Sequence, residues 1–297
     1  MKVLRTPESR FSDLPDYDFS AHHTDIDGLT MHYVDEGPRE SAPVLLLHGE
    51  PSWSYLYRHM IPPLVAAGHR VVAPDLIGFG KSDKPARRSD YSYAKHVDWM
   101  RQFIEVLDLV DITLFCQDWG SLIGLRVAAE NDARFSRIAL ANGGLPTGDE
   151  PLPEAFRVWR AFALYSPWFP IGRIVQQGTV TKLPAGVIAA YDAPFPKSNY
   201  KAGARAFPAL VPASPDDPAS EANRAAWAAF GRWHKPFITL FSDRDPITRG
   251  LDKRWQAHVP GAERQTHRTI HGAGHFLQEE KGPELAAALI DFVAAGG

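Results

Sequence analysis

The segment Thr113-Leu-Phe-Cys-Gln-Asp-Trp-Gly-Ser-Leu-Ile-Gly constrains this chain more than any other stretch. Residues 112–115 are an apolar run of strand length, and a helix is predicted to begin near Ser121. A sharp turn from strand to helix lifts one side chain above the sheet edge, and here that side chain is Asp118. Residues 44–47 and 70–74 are short apolar runs bounded by Gly or Pro, as buried parallel strands are, and 29–35 alternate as a half-buried strand does. Further strands are predicted at 138–141, 236–241 and 265–270. Helices are predicted at 55–67, 93–108, 121–130, 221–233 and 283–294, with Pro62 and Pro63 expected to distort or break the first. Strands alternating with helices define an α/β class: a mostly parallel central sheet flanked by helices.

The alternation stops after Asn142. From 146 to 218 the chain is helical in character, rich in Trp, Tyr and Pro, and Val211-Pro-Ala-Ser-Pro-Asp-Asp-Pro reads as a linker back into the sheet. The expected organisation is a core of residues 1–145 and 217–297 with a helical cap, 146–216, inserted in it. The 297 residues are 44% hydrophobic, enough for one large core with an insertion. A net charge of -3 offers no electrostatic footprint for nucleic acid or an anionic membrane. The single cysteine, Cys116, excludes an intrachain disulfide and a cysteine-built metal site, and no metal is expected. No stretch reaches the ~20 apolar residues of a membrane helix, and Met1-Lys-Val-Leu-Arg-Thr-Pro lacks the apolar run of a signal peptide. These features predict a soluble cytoplasmic protein; nothing in the sequence sets its oligomeric state.

A carboxylate at the turn selects the chemistry. Serine attacking a saturated carbon would form an ether that cannot then be hydrolysed, whereas a carboxylate forms an ester that water can cleave. Asp118 therefore points to an electrophilic sp3 carbon, as in alkyl halides and epoxides, rather than to acyl esters. Such a nucleophile needs a base and a group to orient it. On sheets with this turn the chain order is nucleophile, acid, histidine. The acid is expected after the first strand beyond the cap, in Ser242-Asp-Arg-Asp-Pro-Ile, where Asp245, just before Pro246, is chosen over Asp243. The histidine is expected after the last strand, in His271-Gly-Ala-Gly-His-Phe. His275, on a Gly-flanked loop entering an acidic helix start, is chosen over His271, which ends the strand. Among 12 histidines and 35 acidic residues, any one near a strand end is unremarkable; three at three strand ends in the right order are not. The ester must pass through an oxyanion that needs donors. The backbone N–H of Glu50, in the His48-Gly-Glu-Pro loop after the third strand, and that of Trp119 are placed to supply them. His48 reads as a turn residue, and the Glu50 side chain is available to hold Asp118 or a water.

The strings His48-Gly-Glu-Pro-Ser-Trp-Ser-Tyr-Leu-Tyr-Arg, Ala73-Pro-Asp-Leu-Ile-Gly-Phe-Gly-Lys-Ser-Asp-Lys-Pro, Gln117-Asp-Trp-Gly and Gly274-His-Phe resemble the haloalkane dehalogenases. In the cap, Tyr191-Asp-Ala-Pro-Phe-Pro and Ala206-Phe-Pro-Ala-Leu-Val-Pro resemble the branch typified by 1,2-dichloroethane dehalogenase. The likeness spans nearly the whole chain. It implies an α/β-hydrolase fold, no cofactor, and hydrolysis of a halogenated alkane to an alcohol, a halide and a proton. It also implies that two indole N–H groups grip the departing halide. One follows the nucleophile and is Trp119. The other sits in a Phe-x-x-Trp context in the cap, which Phe156-Arg-Val-Trp159 matches, with Trp168 as competitor. Trp offers a single N–H on an apolar body, which suits a large soft anion in a dry pocket. Phe156, Phe207 and Pro208 are candidates to line that pocket, although core packing accounts for them equally well. Two positions depart from the family's common pattern: Cys116 and Ser121 stand where Gly is frequent. Cys116 is read as a buried strand-end thiol, Ser121 as a mild change to the helix N-terminus, and Asp75 as structural.

An epoxide hydrolase would share Asp118, Asp245 and His275. It would also need an acid for the opening alkoxide, usually a pair of cap tyrosines; Tyr165, Tyr191 and Tyr200 are the candidates. Fluoroacetate-type dehalogenation would want arginines beside the nucleophile, where this chain has Trp119, with Arg126 two turns along the helix. A non-catalytic scaffold predicts a broken triad. The paired tryptophans favour carbon–halogen chemistry.

Overall fold

The structure is a computed structural model that describes residues 1–295; Gly296 and Gly297, the end of the expected core segment, lie outside the described residues. Eight strands form the central sheet: β1 His22–Ile26, β2 Leu29–Glu36, β3 Pro43–Leu47, β4 Arg70–Pro74, β5 Ile112–Gln117, β6 Phe135–Ala141, β7 Phe237–Ser242 and β8 Arg268–Ile270. Their order is β8-β7-β6-β5-β3-β4-β2-β1. The pairs from β4 to β8 are parallel, and β2 runs antiparallel to both β4 and β1. β3 and β5 are buried at every position, because helices cover both faces of the sheet there.

Alternation along β3 sends Leu45 and Leu47 to one core and Val44 and Leu46 to the other. The first core lies under helices α2 Tyr93–Val106 and α3 Trp119–Glu130, the second under α1 Ile61–Ala66 and the C-terminal helix. Between β6 and the helix that leads back to β7 the chain forms α4 Glu154–Tyr165, α5 Ile171–Gln177, α6 Ala185–Asp192 and α7 Ala202–Leu210, with no strand among the described residues. Their buried side chains, Val175, Tyr191 and Phe207 among them, extend the first core. The remaining helices are α8 Ser220–Phe230, α9 Leu251–His258 and α10 Leu277–Ala295. No helix among the described residues is long and apolar enough to cross a membrane.

Leu47 pairs with Cys116, so β3 and β5 end level and the loops carrying Glu50 and Asp118 leave the sheet together. The chain goes to one side of β3 for β4 and to the other for β5. This reversal opens a crevice at the carboxyl ends of the strands, where ligands bind in open α/β sheets.

Several local expectations change. Residues 55–67 are not one helix: a 3-10 turn at Ser54–Tyr57 precedes α1, and Pro62 and Pro63 occupy the first turn of α1. A missing N–H removes no intrahelical bond there, so the prolines start the helix rather than break it. The last strand keeps only Arg268–Ile270 of the expected 265–270. α10 begins six residues before Pro283 and is interrupted at Lys281, whose φ of -134° is not helical. The β1 strand and α9 were not anticipated.

Candidate active site

Asp118 occupies the turn between β5 and α3 with φ 50° and ψ -126°. Side chains other than Gly rarely adopt such backbone, which costs on the order of 1–3 kcal/mol and persists only where neighbours enforce it. The neighbours are identifiable. The Asp118 N–H donates to the Asn142 carbonyl (3.1 Å), and the Asp118 carbonyl accepts from the Ser121 N–H (2.9 Å) and hydroxyl (2.5 Å). A Cβ at Gly120 would lie 2.0 Å from the Leu47 carbonyl oxygen, so only glycine permits this close approach. Ser121, one of the departures from the family pattern, also accepts from the Gly144 N–H (2.9 Å) and ties the turn to the loop after β6. Cys116 is fully buried on β5, and burial pushes its thiol up, away from reactivity.

The structure brings Asp118, His275 and Asp245 together. His275 Nδ1 is 2.9 Å from Asp245 Oδ2, and its Nε2 is 3.3 Å from Asp118 Oδ2. Asp245 is 1% exposed and accepts from the Ile247 N–H (2.9 Å) and the Thr248 hydroxyl. Asp243 instead pairs at 3.2 Å with His271, whose side chain is 81% exposed, outside the site. Burial alone would lower the His275 pKa, but Asp245 and Asp118 outweigh it and bring it up to about 10. Burial alone would raise Asp245, yet the His275 charge and the donors around it hold the carboxyl below its ordinary value.

Asn142, whose place the sequence marks only as the end of the alternation, joins two parts of this site. Its Nδ2 donates to the His275 carbonyl (3.1 Å) and the Gly274 carbonyl (3.0 Å), while its own carbonyl holds the Asp118 N–H. It follows β6 as Asp118 follows β5, and that shared position at a strand end is the signal that could have singled it out.

The Glu50 N–H donates to Asp118 Oδ1 at 2.7 Å. Trp119 opens α3, where a backbone N–H has no partner within the helix. The Glu50 side chain is buried and its Oε1 has no hydrogen-bond partner among the described residues. Burial first, and Asp118 second, push its carboxyl well above the usual range. His48 is a turn residue as expected: Nδ1 meets the Gly49 carbonyl (2.9 Å) and Nε2 accepts from the Leu76 N–H (3.0 Å). Asp75 is fully buried, accepts from the backbone of Ser54 and Lys81 (2.8 Å each) and pairs with His32.

Two cavities meet at Asp118 and Trp119. The first, of about 230 Å³, lies between these three side chains and helices α4 and α5 and is lined by Glu50, Phe156, Trp159 and His275. The second, of about 200 Å³, runs under residues 143–153. No hydrogen bond engages the indole N–H of Trp119 or Trp159 among the described residues. Trp168 is 58% exposed and lines an outer cleft away from Asp118, so the geometry favours Trp159 over it. Phe156 lines both cavities, whereas Phe207 and Pro208 line neither. Phe207 is fully buried and packs 4.4 Å from the Trp119 ring and 4.8 Å from Phe79, so it buttresses the indole from behind.

The tyrosines that an epoxide chemistry would need are elsewhere. Tyr191 is buried and donates to Glu279 (2.6 Å), which Arg58 grips in turn. Tyr165 is exposed, Tyr200 reaches the Arg5 carbonyl (3.5 Å), and none of the three lines a cavity with Asp118. Arg126 is engaged by Glu130 and Asn223.

Residues 42–182 match the family model described as the alpha/beta hydrolase fold, the class that the sheet and its turn define. A haloalkane dehalogenase from Psychrobacter cryohalolentis is 59% identical, over 99% of this chain and 98% of that protein. One from Mycobacterium marinum is 57% identical, over 98% and 100%. The solved structure of haloalkane dehalogenase DpaA from Paraglaciecola agarilytica NO2 matches with a TM-score of 0.91 at 39% identity, over 97% of each chain. The chain belongs to the haloalkane dehalogenases.

Proposed function

We propose that the protein hydrolyses carbon–halogen bonds of halogenated alkanes in two steps, with Asp118 as nucleophile. Asp118 Oδ1 is held by the Glu50 amide; Oδ2, in only a long contact with His275, attacks the carbon bearing the halogen. An alkyl ester forms on Asp118 and the halide leaves with the bonding pair. Trp119 and Trp159 line the same cavity, and their indole N–H groups, free of other partners among the described residues, would take up the growing charge on the halide.

The second step follows from the electrostatics of the ring. While Asp118 is charged, His275 is held as an imidazolium between two carboxylates. Esterification removes the Asp118 charge, and with it part of what raises His275. The ring then loses its proton to solvent, and the neutral imidazole accepts one from water. That water attacks the Asp118 carboxyl carbon, and the oxyanion on Oδ1 is held by the Glu50 and Trp119 amides. Collapse releases the alcohol, whose oxygen takes the proton held by His275. The second water proton passes from the Asp118 carboxyl to His275, so that carboxylate and imidazolium are both restored. Asp245 keeps the ring oriented throughout.

In this reading residues 146–216 are a cap domain over a core of 1–145 and 217–297, and the cap's part is to bring Phe156 and Trp159 over the nucleophile. A cytoplasmic location is part of the same proposal; the lone free and buried cysteine fits a reducing compartment. The observation that carries the function is the contact of one imidazole with both Asp118 and Asp245. Halide release measured over chloro-, bromo- and iodoalkanes, with epoxides alongside, tests it. Halide appearing with the alcohol is the expected result; diol from epoxides without halide release from any alkane would overturn it.

A further inference from the structure

Gln117 ends β5 directly before the nucleophile, and neither proposed step uses its side chain. Alternation along β5 turns it to the side of Phe115, where α10 packs, and it is fully buried there. Its Nε2 is 3.1 Å from the His275 carbonyl oxygen and 3.2 Å from His275 Nε2. A carbonyl only accepts, so the amide must present its NH2 end to His275. At the other end Oε1 accepts from Gln278 Nε2 (3.4 Å), which opposes turning the amide over. With one N–H on the carbonyl, the second is left for the ring. An amide nitrogen cannot accept, so this N–H stabilises a bare lone pair on His275 Nε2 and opposes an Nε2–H.

We infer that Gln117 is a positioning residue that favours the neutral form of His275, the base of the second step, once the ester exists on Asp118. The inference rests on the proposed function, since it assumes that ester. The groups around the ring decide when Gln117 counts. In the resting protein, Asp245 at Nδ1 and charged Asp118 at Nε2 overcome burial and favour the imidazolium. Glu50, from the loop after β3, is held toward its neutral form by its burial. Arg244 is on the cavity rim, mostly exposed and beside Asp243, and Glu280 of α10 accepts from the Gly274 N–H (2.7 Å). With Asp118 esterified, Asp245 is the one carboxylate left in contact with the ring among the described residues, and the Gln117 N–H acts against it. Tying the His275 loop to β5 needs only the bond to the carbonyl. The second N–H, at the basic nitrogen, is the part that bears on proton transfer.

Rapid-quench kinetics with 1-bromopropane, between about pH 5 and about pH 10, tests this, bromide reporting ester formation and 1-propanol its hydrolysis. Hydrolysis needs the neutral ring, so its rate rises with pH as His275 in the ester loses its proton. Gln117→Met keeps the length of the side chain and removes both donors. The midpoint of the rise is expected to move up by about half to one pH unit, because the neutral ring loses a hydrogen bond. Gln117→Glu sets an acceptor against the ring and is expected to move the midpoint up further; it serves alone if the first variant does not fold. A midpoint that stays in place or moves down, even with hydrolysis slowed at every pH, would overturn the inference and leave Gln117 a tie between strand and loop. Absence of bromide from the wild type at every pH would instead overturn the function on which it rests.

Discussion

His275 Nε2 stands 3.3 Å from Asp118 Oδ2 while Nδ1 of the same ring holds Asp245 at 2.9 Å. One imidazole is thus shared between the group that would form the ester and the group that orients the ring for breaking it. In this arrangement the two steps respond differently to change: the first needs Asp118, the second needs His275 and Asp245.

Asp245→Asn removes the charge that sustains His275 while leaving a side chain of the same shape. Steady-state halide release is expected to fall by about 10²–10⁴-fold, the usual worth of positioned acid–base catalysis. Asp243→Asn, which touches only the exposed His271, is expected to stay within about twofold of wild type. Steady-state kinetics on the two variants side by side checks the pair.

The two cap tryptophans also separate. Trp159→Phe deletes the one indole N–H that Trp159 brings to the cavity wall and is expected to weaken chloride or bromide binding by about 10- to 100-fold, the worth of a hydrogen bond to a charged group. Trp168→Phe, on the outer cleft, is expected to leave halide binding unchanged. Halide titration by calorimetry reads both.

The charge on His275 also carries a pH signature. The folded protein holds this proton up to about 10, against about 6.5 for an unfolded chain. The proton is bound more tightly in the folded state, so the stabilisation is complete below roughly pH 6.5 and is lost as pH rises through about 10. Thermal unfolding of the wild type is expected to show falling stability from neutral pH toward pH 10. His275→Phe is expected to give a shallower profile over the same window.

Tyr191 is a pin between α6 and α10 rather than an acid. Tyr191→Phe leaves Glu279 with Arg58 but without the phenol donor, and is expected to cost about 1–3 kcal/mol in denaturant unfolding. Halide release under native conditions is expected to remain within about threefold of wild type.

The meeting of Asp118, Asp245 and His275 is legible because each lies in a loop that follows a strand, and apolar runs mark strand ends well. Glu50 was legible for the same reason, since its loop follows β3. The roles of Asn142 and Thr248 were not, because their partners are chosen where several strand ends converge, and a linear sequence does not show which side chains meet there. Phe207 illustrates a different limit: the helical spacing of an aromatic is the same whether it faces a cavity or the core behind Trp119. Tyr191 was available as an acid on composition alone; its partner Glu279 lies 88 residues away in sequence and removes it from the site. In sequence Pro62 and Pro63 suggest a break, because the helix start they occupy depends on the 3-10 turn before it.

Intact-mass spectrometry of His275→Phe after exposure to a good substrate such as 1-bromopropane tests the central claim most directly. With no base to activate water, the ester on Asp118 is expected to accumulate, seen as a stoichiometric mass increase equal to one propyl group less a proton. Asp118→Asn combined with His275→Phe is expected to show none. Free protein alone from His275→Phe, under conditions where the wild type releases halide, would contradict the covalent route through Asp118.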